Sequence, residues 1–158
     1  MNKFSKILES SSPKFSLGID VHGVIDSLPS EFSFLTNLIV SAGGHVHIIT
    51  GSGWNSEIES KLKSLNISYT HKFSVYDHLI ETNSEILGEV EFPDGTIQKK
   101  FNNIEWDKVK GDYCEKNNIS LHIDDTLSYN EFFRTPFCRF WSHNNSPKAS
   151  HKDRRHLD

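Results

Sequence analysis

The sequence predicts an α/β protein whose open, mostly parallel sheet is covered by helices on both faces. Short apolar segments alternate with segments that repeat apolar residues at helical spacing, which is the pattern of β-α-β units. Several of the apolar segments end in Asp or Thr, and polar strand ends of this kind converge on the ligand-binding edge of a parallel sheet. The chain has 158 residues, which suits one domain with a single core.

The N-terminal half of the chain contains three predicted strands and two predicted helices. The strands cover 15–21, 45–50 and 67–73, and the helices cover 32–41 and 56–65. Phe32, Leu35 and Ile39 recur at helical spacing, and Gly43 with Gly44 provides the stop signal of the first helix. The Ser- and Lys-rich residues 1–14 predict an N-terminal arm outside the domain.

The C-terminal half begins with a predicted insertion and then returns to the sheet. The insertion covers about residues 75–105 and contains a predicted β-hairpin, Val90–Gln98, with an Asp-Gly turn. The remaining predicted elements are a helix over 106–117, a strand over 120–123, a short helix over 128–133 and a fifth strand over 136–141. These boundaries predict one domain over 15–141, followed by a polar tail over 142–158 that we expect to be disordered.

Charge, hydropathy and cysteine content exclude several classes of protein. A formal net charge of −4 and a pI of about 6.1 argue against general nucleic-acid binding through a basic surface. No apolar run approaches the ~20 residues of a membrane helix, and the start has no apolar signal segment, so we expect a cytoplasmic protein without a membrane partner. The two cysteines, Cys114 and Cys138, lack metal-binding spacing and are expected to be two buried thiols.

Carboxylates follow two of the predicted strands. Asp20 ends the first apolar run, and Asp124 with Asp125 ends the run Leu121–Ile123. Three carboxylates at one sheet edge would repel one another unless a cation lay between them. The sequence therefore predicts a divalent-metal site with Asp20 as a candidate nucleophile, although Asp124 and Asp125 are also compatible with simple capping of the next helix. His45 and His47 alternate on a strand and are expected to pack locally.

Four motifs in this order resemble those of the haloacid dehalogenase-like (HAD) hydrolase superfamily, over about residues 15–141. They are Asp20-x-His22-Gly23, Ile49-Thr50-Gly51, a helix lysine and Asp124-Asp125. The resemblance is to a capless or minimally capped, phosphatase-type member. It implies a three-layer, Rossmann-like core and a Mg²⁺-dependent phosphatase that acts through an aspartyl-phosphate.

The resemblance also implies a role for each motif residue. Asp20 would be the nucleophile and a Mg²⁺ ligand, together with the backbone carbonyl of His22, Asp124 and Asp125. Thr50, the amide of Gly51 and a lysine would bind the phosphoryl group. Lys110, which precedes the small Gly111, is the preferred lysine, and Lys108 is the alternative.

His22 is where the sequence departs from the family pattern, because most such phosphatases have a second aspartate there. An imidazole carries a proton near neutral pH and is able to act as general acid and base. The same substitution leaves open a metal- or phosphate-binding module that regulates a partner without catalysis, and a phosphotransferase. Residues 23–30 are too few for the cap domain that would close over the site, so we expect an open site. Such a site suits a phosphorylated small molecule such as a nucleotide, or a phosphorylated macromolecular end. A homo-oligomer is one way to supply a lid.

Overall fold

The computed structural model describes residues 14–92 and 95–142, and these form a five-stranded parallel sheet with a separate two-stranded antiparallel hairpin. The strands are β1 Ser16–Ile19, β2 His45–Thr50, β3 His71–Ser74, β4 Gly88–Glu91, β5 Ile97–Lys100, β6 Leu121–Asp124 and β7 Phe137–Arg139. The helices are α1 Pro29–Ser41, α2 Ser56–Ser64, α3 Val75–Glu81 and α4 Asn103–Lys116; a wide turn occupies Val21–Ile25 and a 3₁₀ helix occupies Leu127–Phe132. The predicted arm and tail lie outside the described residues, apart from Lys14 and Ser142.

The strand order of the large sheet is β3-β2-β1-β6-β7, so β1 is central. The chain runs from β1 outward through β2 to β3 and then returns to the opposite side of β1 as β6. The order therefore reverses between β1 and β6, and such a reversal opens a crevice at the carboxyl ends of the two strands. The predicted α/β class and parallel sheet are confirmed.

Helices pack on both faces of this sheet, because successive strand residues point to opposite sides. On one face, Ile19 and Ile48 pack with Phe32 of α1 and Leu62 of α2. On the other face, Ile49 packs with Cys114 of α4. The result is a three-layer arrangement in which α4 covers the half of the sheet that carries Asp20 and Asp124.

A helix that the sequence did not predict, α3, follows β3 without a loop. The side chain of Ser74 accepts a hydrogen bond from the backbone N–H of Asp77 and caps it. Val75 and Leu79 are buried against Val109 of α4, so the first part of the predicted insertion belongs to the core. The helix has seven residues, too few for apolar periodicity to become visible.

The predicted hairpin is present, with β4 paired antiparallel to β5. Its turn residues Pro93 and Asp94 lie outside the described part of the chain. Most described residues of the hairpin are exposed, and Tyr76 of α3 contacts it through a 3.4 Å hydrogen bond from the Lys99 amide to the tyrosine hydroxyl. The described part of the hairpin therefore stands at the surface.

Strand β3 is shorter than predicted, since residues 67–70 do not join the sheet ladder. The hydroxyl of Thr70 accepts from the Val46 amide at 3.0 Å and donates to the Val46 carbonyl at 3.0 Å. The Val46 carbonyl also accepts from the Thr70 backbone amide at 2.8 Å, so it is the Val46 amide that the side chain takes from the sheet ladder. Periodicity alone cannot reveal such local competition for the ladder.

The expectation of two buried thiols is wrong for one of them. Cys114 is buried between α4 and the sheet, whereas Cys138 is exposed on the edge strand β7. Burial, aided by the charge of Asp124, raises the pKa of the Cys114 thiol to about 12. The two thiols therefore differ in both access and reactivity.

We expect native alkylation at neutral pH to modify Cys138 and to leave Cys114 unmodified, as determined by peptide mass spectrometry. Both thiols should react in denaturant. The variant Cys138→Ser should show no fast-reacting thiol in the native state, and rapid labelling of Cys114 there would contradict the packing of α4 on the sheet.

Three histidines gather on the face of the sheet covered by α4. The His47 and His71 rings stack with centroids 4.1 Å apart, and the His45 ring meets His71 edge-on at 5.6 Å. His47 Nδ1 lies 2.9 Å from the Tyr113 hydroxyl. Burial, together with the charges of His71 and His45, lowers the pKa of His47 to about 4. The local packing predicted for His45 and His47 is confirmed.

This packing predicts a loss of stability in mild acid. The unfolded chain takes up a proton at His47 near pH 6.5, but the folded protein resists it until about pH 4, so stability falls as pH drops through that interval. We expect His47→Gln to lose less thermal stability than the wild type between pH 7 and pH 4.5. His78→Gln is the control, because His78 lies outside the group formed by His45, His47 and His71. An equal fall in melting temperature for His47→Gln and the wild type over this pH range would contradict the prediction.

Within residues 14–92 and 95–142, no helix has the length and apolar character needed to cross a bilayer.

Candidate metal and phosphate site

The strand register places two carboxylates side by side in the crevice between β1 and β6. Ile19 of β1 is level with Ile123 of β6, and Asp20 and Asp124 are the residues that follow. The Asp20 amide donates to the Ile123 carbonyl at 3.1 Å, which extends the pairing to the end of the strand. Both aspartates are completely buried. Adjacent parallel strands thus impose the proximity of these two acids.

Asp125 completes a cluster of three carboxylates. One oxygen of each of Asp20, Asp124 and Asp125 lies within 4.8 Å of the others. The Asp125 carboxylate rests against Gly23, which has φ +82°, and a Cβ added at Gly23 would overlap its Oδ2. Glycine is therefore required twice over at this turn, for its backbone conformation and for the approach of Asp125.

Lys110 of α4 reaches the cluster from the layer above the sheet. Its Nζ lies 2.6 Å from Asp124 Oδ2 and 3.2 Å from Asp20 Oδ1, and it is fully buried. The Tyr129 ring lies 4.8 Å from Nζ. The alternative lysine, Lys108, is exposed and pairs with Asp112 at 3.7 Å, so the structure brings Lys110 to the carboxylates and leaves Lys108 at the surface.

The neighbouring carboxylates hold Lys110 in its charged form. Burial by itself lowers the pKa of this amine, but the charges of Asp124 and Asp20 outweigh burial and hold the pKa above its usual value. A lysine so placed is a permanent cation, and its removal would leave buried carboxylates uncompensated.

The close approach of α4 depends on the residue after Lys110. A Cβ added at Gly111 would overlap the carbonyl oxygen of Phe132 in the 3₁₀ helix. The small residue predicted beside the lysine thus lets α4 lie against that segment.

His122 is a neighbour of the cluster that the sequence analysis did not select. Its Nε2 lies 3.2 Å from Asp124 Oδ2, its ring stacks on Phe133 at 5.0 Å, and the residue is completely buried. Its buried Nδ1 has no hydrogen-bond partner among the described residues. Since a carboxylate oxygen only accepts, Nε2 carries the proton and helps to orient Asp124. The sequence signal was the i, i+2 spacing of His122 and Asp124 on one strand face.

The Asp124 carboxylate also organises the backbone that follows it. Its Oδ1 accepts from the Thr126 amide at 2.9 Å. Thr126 precedes the 3₁₀ helix but makes no side-chain capping bond. Asp124 thus uses Oδ1 for the backbone that follows the strand and Oδ2 for Lys110 and His122.

Thr50 and Gly51 lie at the end of β2, the neighbouring strand of β1. Thr50 is buried, and its hydroxyl accepts from the Ser52 amide at 3.3 Å. Two hydrogen bonds join the loop to α3. Asp77 Oδ2 accepts from the Trp54 amide at 2.7 Å. The Gly51 carbonyl accepts from the Tyr76 amide at 3.3 Å. These bonds hold the loop in place at the end of β2, the strand that pairs with β1.

His22 lies in the wide turn after β1, and its ring is held by a carboxylate outside the cluster. Its Nδ1 is 3.2 Å from Asp26 Oδ2, and Lys61 Nζ of α2 is 2.9 Å from the same oxygen. Burial raises the pKa of Asp26, but hydrogen bonds from His22 and Lys61 outweigh it and hold the pKa below its usual value. Asp26 is therefore ionised at neutral pH.

The donor set fits a divalent oxygen-seeking cation. Three carboxylates carry three negative charges, and Lys110 offsets one of them. The remaining double negative charge matches one Mg²⁺, whose ligands in proteins are carboxylate and carbonyl oxygens. The residues present therefore suit the predicted metal.

Comparisons with known proteins give no assignment: no protein-family model, curated protein or solved structure matches this chain.

We expect Gly23→Ala to weaken Mg²⁺ binding, roughly 10–100-fold in affinity, because the new Cβ displaces Asp125. Isothermal titration calorimetry with Mg²⁺ alone measures this effect. Gly43→Ala is the matched control, since Gly43 also has a positive φ, +78°, but has nothing within 4 Å of a built Cβ. Both variants should lose about 1–2 kcal/mol of stability from backbone strain. Equal Mg²⁺ affinities would contradict a role for Asp125.

Proposed function

We propose that this protein is a Mg²⁺-dependent phosphomonoesterase of the HAD-like type, in which Asp20 forms a transient aspartyl-phosphate. One observation carries the proposal: the buried Lys110 ammonium lies 3.2 Å from Asp20 and 2.6 Å from Asp124 at the point where the strand order reverses. A strand-end carboxylate beside a fixed cation and two further carboxylates provides a nucleophile, a phosphate clamp and a metal cradle in one place.

Asp20, Asp124, Asp125 and the backbone carbonyl of His22 would hold Mg²⁺. When bound, the ion offsets the charge of the phosphoryl oxygens, so that an anionic carboxylate is able to approach phosphorus. Lys110, the Thr50 hydroxyl and the Gly51 amide bind the phosphoryl oxygens and stabilise the charge that accumulates there.

Asp20 supplies the nucleophile. One of its oxygens forms a bond to phosphorus while the bond from phosphorus to the leaving oxygen breaks. The imidazolium form of His22 gives a proton to the leaving alkoxide, and the neutral ring then accepts one from the water that attacks phosphorus and releases Asp20. The sum is a phosphomonoester and water in, an alcohol and inorganic phosphate out, with both residues restored.

The surroundings of the site favour substrates that do not need enclosure. The turn Val21–Ile25 is too short for a lid, and most described residues of the hairpin are exposed. A phosphorylated small molecule such as a nucleotide fits such a site, and so does a phosphorylated macromolecular end. A neighbouring subunit is a further source of a lid.

The test is phosphate release from a panel of phosphomonoesters with Mg²⁺ or EDTA. Asp20→Asn keeps the size of the side chain but removes the nucleophile, so the Mg²⁺-dependent rate should fall about 10³-fold or more. Lys108→Met is a control on the same helix as Lys110 and should keep the wild-type rate. Hydroxylamine-sensitive labelling of the wild type by phosphate, absent in Asp20→Asn, should report the acyl-phosphate.

Several outcomes would contradict the proposal. If Asp20→Asn turned over at the wild-type rate, the aspartyl-phosphate would be contradicted. If EDTA left turnover unchanged, the role of the metal would be contradicted. Phosphate binding without turnover on any substrate would favour a phospholigand-binding module that regulates a partner. Transfer of phosphate to an acceptor other than water would favour a phosphotransferase.

A further inference from the structure

A second, smaller network of charges follows β1, and its side chains have no part in the proposed metal cradle or phosphate clamp. It connects His22, Asp26 and Lys61 through one carboxylate oxygen, Asp26 Oδ2. The His22 side chain is 45% exposed and that of Asp26 is 28% exposed. Exposed ion pairs contribute little to stability, so this network is poorly explained as a structural support.

The backbone of the turn sets the geometry of this network. His22 and Gly23 leave the helical conformation, with φ and ψ of −79° and 124° at His22 and 82° and −12° at Gly23. The chain then closes again, as the Asp26 amide donates to the Val21 carbonyl at 3.2 Å and the Ser27 hydroxyl donates to the Gly23 carbonyl at 2.9 Å. Asp26 is thereby held one turn after His22.

We infer that Asp26 is a positioning residue for His22, holding its ring with the proton on Nδ1 so that Nε2 is the atom that exchanges protons with substrate and water. The inference rests on the proposed function for the role of the ring. A carboxylate oxygen only accepts hydrogen bonds, so a neutral imidazole facing Asp26 through Nδ1 must donate from that atom. Nε2, which makes no hydrogen bond within the described residues, then presents its lone pair.

Lys61 fixes the other side of the carboxylate. Its ammonium lies 2.9 Å from Asp26 Oδ2 and belongs to α2, which packs on the core through Leu62. The turn and α2 are thus joined through Asp26. A carboxylate that orients an imidazole, which in turn exchanges protons with the reacting group, is a known arrangement for a general acid and base.

The first readout is the ring ¹⁵N NMR spectrum of His22 in the full chain, at a pH where the imidazole is neutral. We expect a protonated Nδ1 and an unprotonated Nε2 in the wild type. Asp26→Ala should shift the ring toward the Nε2-protonated form that free imidazole side chains prefer. Asp26→Asn keeps an acceptor oxygen and should keep the wild-type tautomer, and Asp112→Ala, an exposed carboxylate paired with Lys108, is the matched control.

The second readout is hydrolysis of two phosphomonoesters with different leaving groups. Asp26→Ala should lower kcat for an alkyl phosphate by about tenfold to a hundredfold with little change in KM, because an alkoxide needs a proton to leave. The effect on p-nitrophenyl phosphate, whose leaving group needs no proton, should be smaller. In a His22→Ala background, Asp26→Ala should have no further effect.

The two readouts separate this inference from the proposed function. An Nε2-protonated ring in the wild type, or a tautomer unchanged in Asp26→Ala, would overturn the positioning role even if the enzyme hydrolyses phosphomonoesters. The expected tautomer in a protein without phosphatase activity would support the positioning and overturn the proposed function. Equal loss of kcat for both leaving groups, or additive effects with His22→Ala, would also count against Asp26 acting through His22.

Discussion

The contact of the Lys110 ammonium with Asp20 and Asp124 is the interaction on which the site depends. Two buried carboxylates on adjacent strands repel each other, and a cation that contacts both attracts each of them and offsets this repulsion. The lysine also joins two layers of the molecule, because it comes from α4 while its partners come from the sheet. A change that shifts α4 therefore changes the electrostatics of both acids.

Close backbone approach is the condition that makes this contact possible. Gly111 lets α4 lie against the 3₁₀ helix, and Gly23 lets Asp125 lie against the turn after β1. Gly18 has the same function on the sheet face covered by α4, where a Cβ would lie 2.7 Å from His122 Nδ1. Polar side chains of the site occupy the space at Gly23 and Gly18, and the Phe132 carbonyl occupies the space at Gly111.

Two sets of polar contacts hold side chains of the proposed site. On the buried side, His122 and the Thr126 amide orient Asp124 with no exposure to solvent. On the exposed side, Asp26 and Lys61 hold the ring of His22. The difference suits the proposed chemistry, since a metal ligand needs a fixed position and a proton carrier needs access to substrate and water.

The sequence by itself determined the α/β class, the parallel sheet and the strand-end position of Asp20, Asp124 and Asp125, because apolar runs and their polar ends are local patterns. It left Lys108 and Lys110 open and did not identify His122 or Asp26 as neighbours of the site. It also did not indicate α3, predicted too long a strand β3 and predicted that Cys138 is buried. These features depend on helix rotation over the sheet, on competition for backbone groups such as that of Thr70, and on which strand is left at an edge. Such contacts join residues far apart in the chain, so only the tertiary structure decides them.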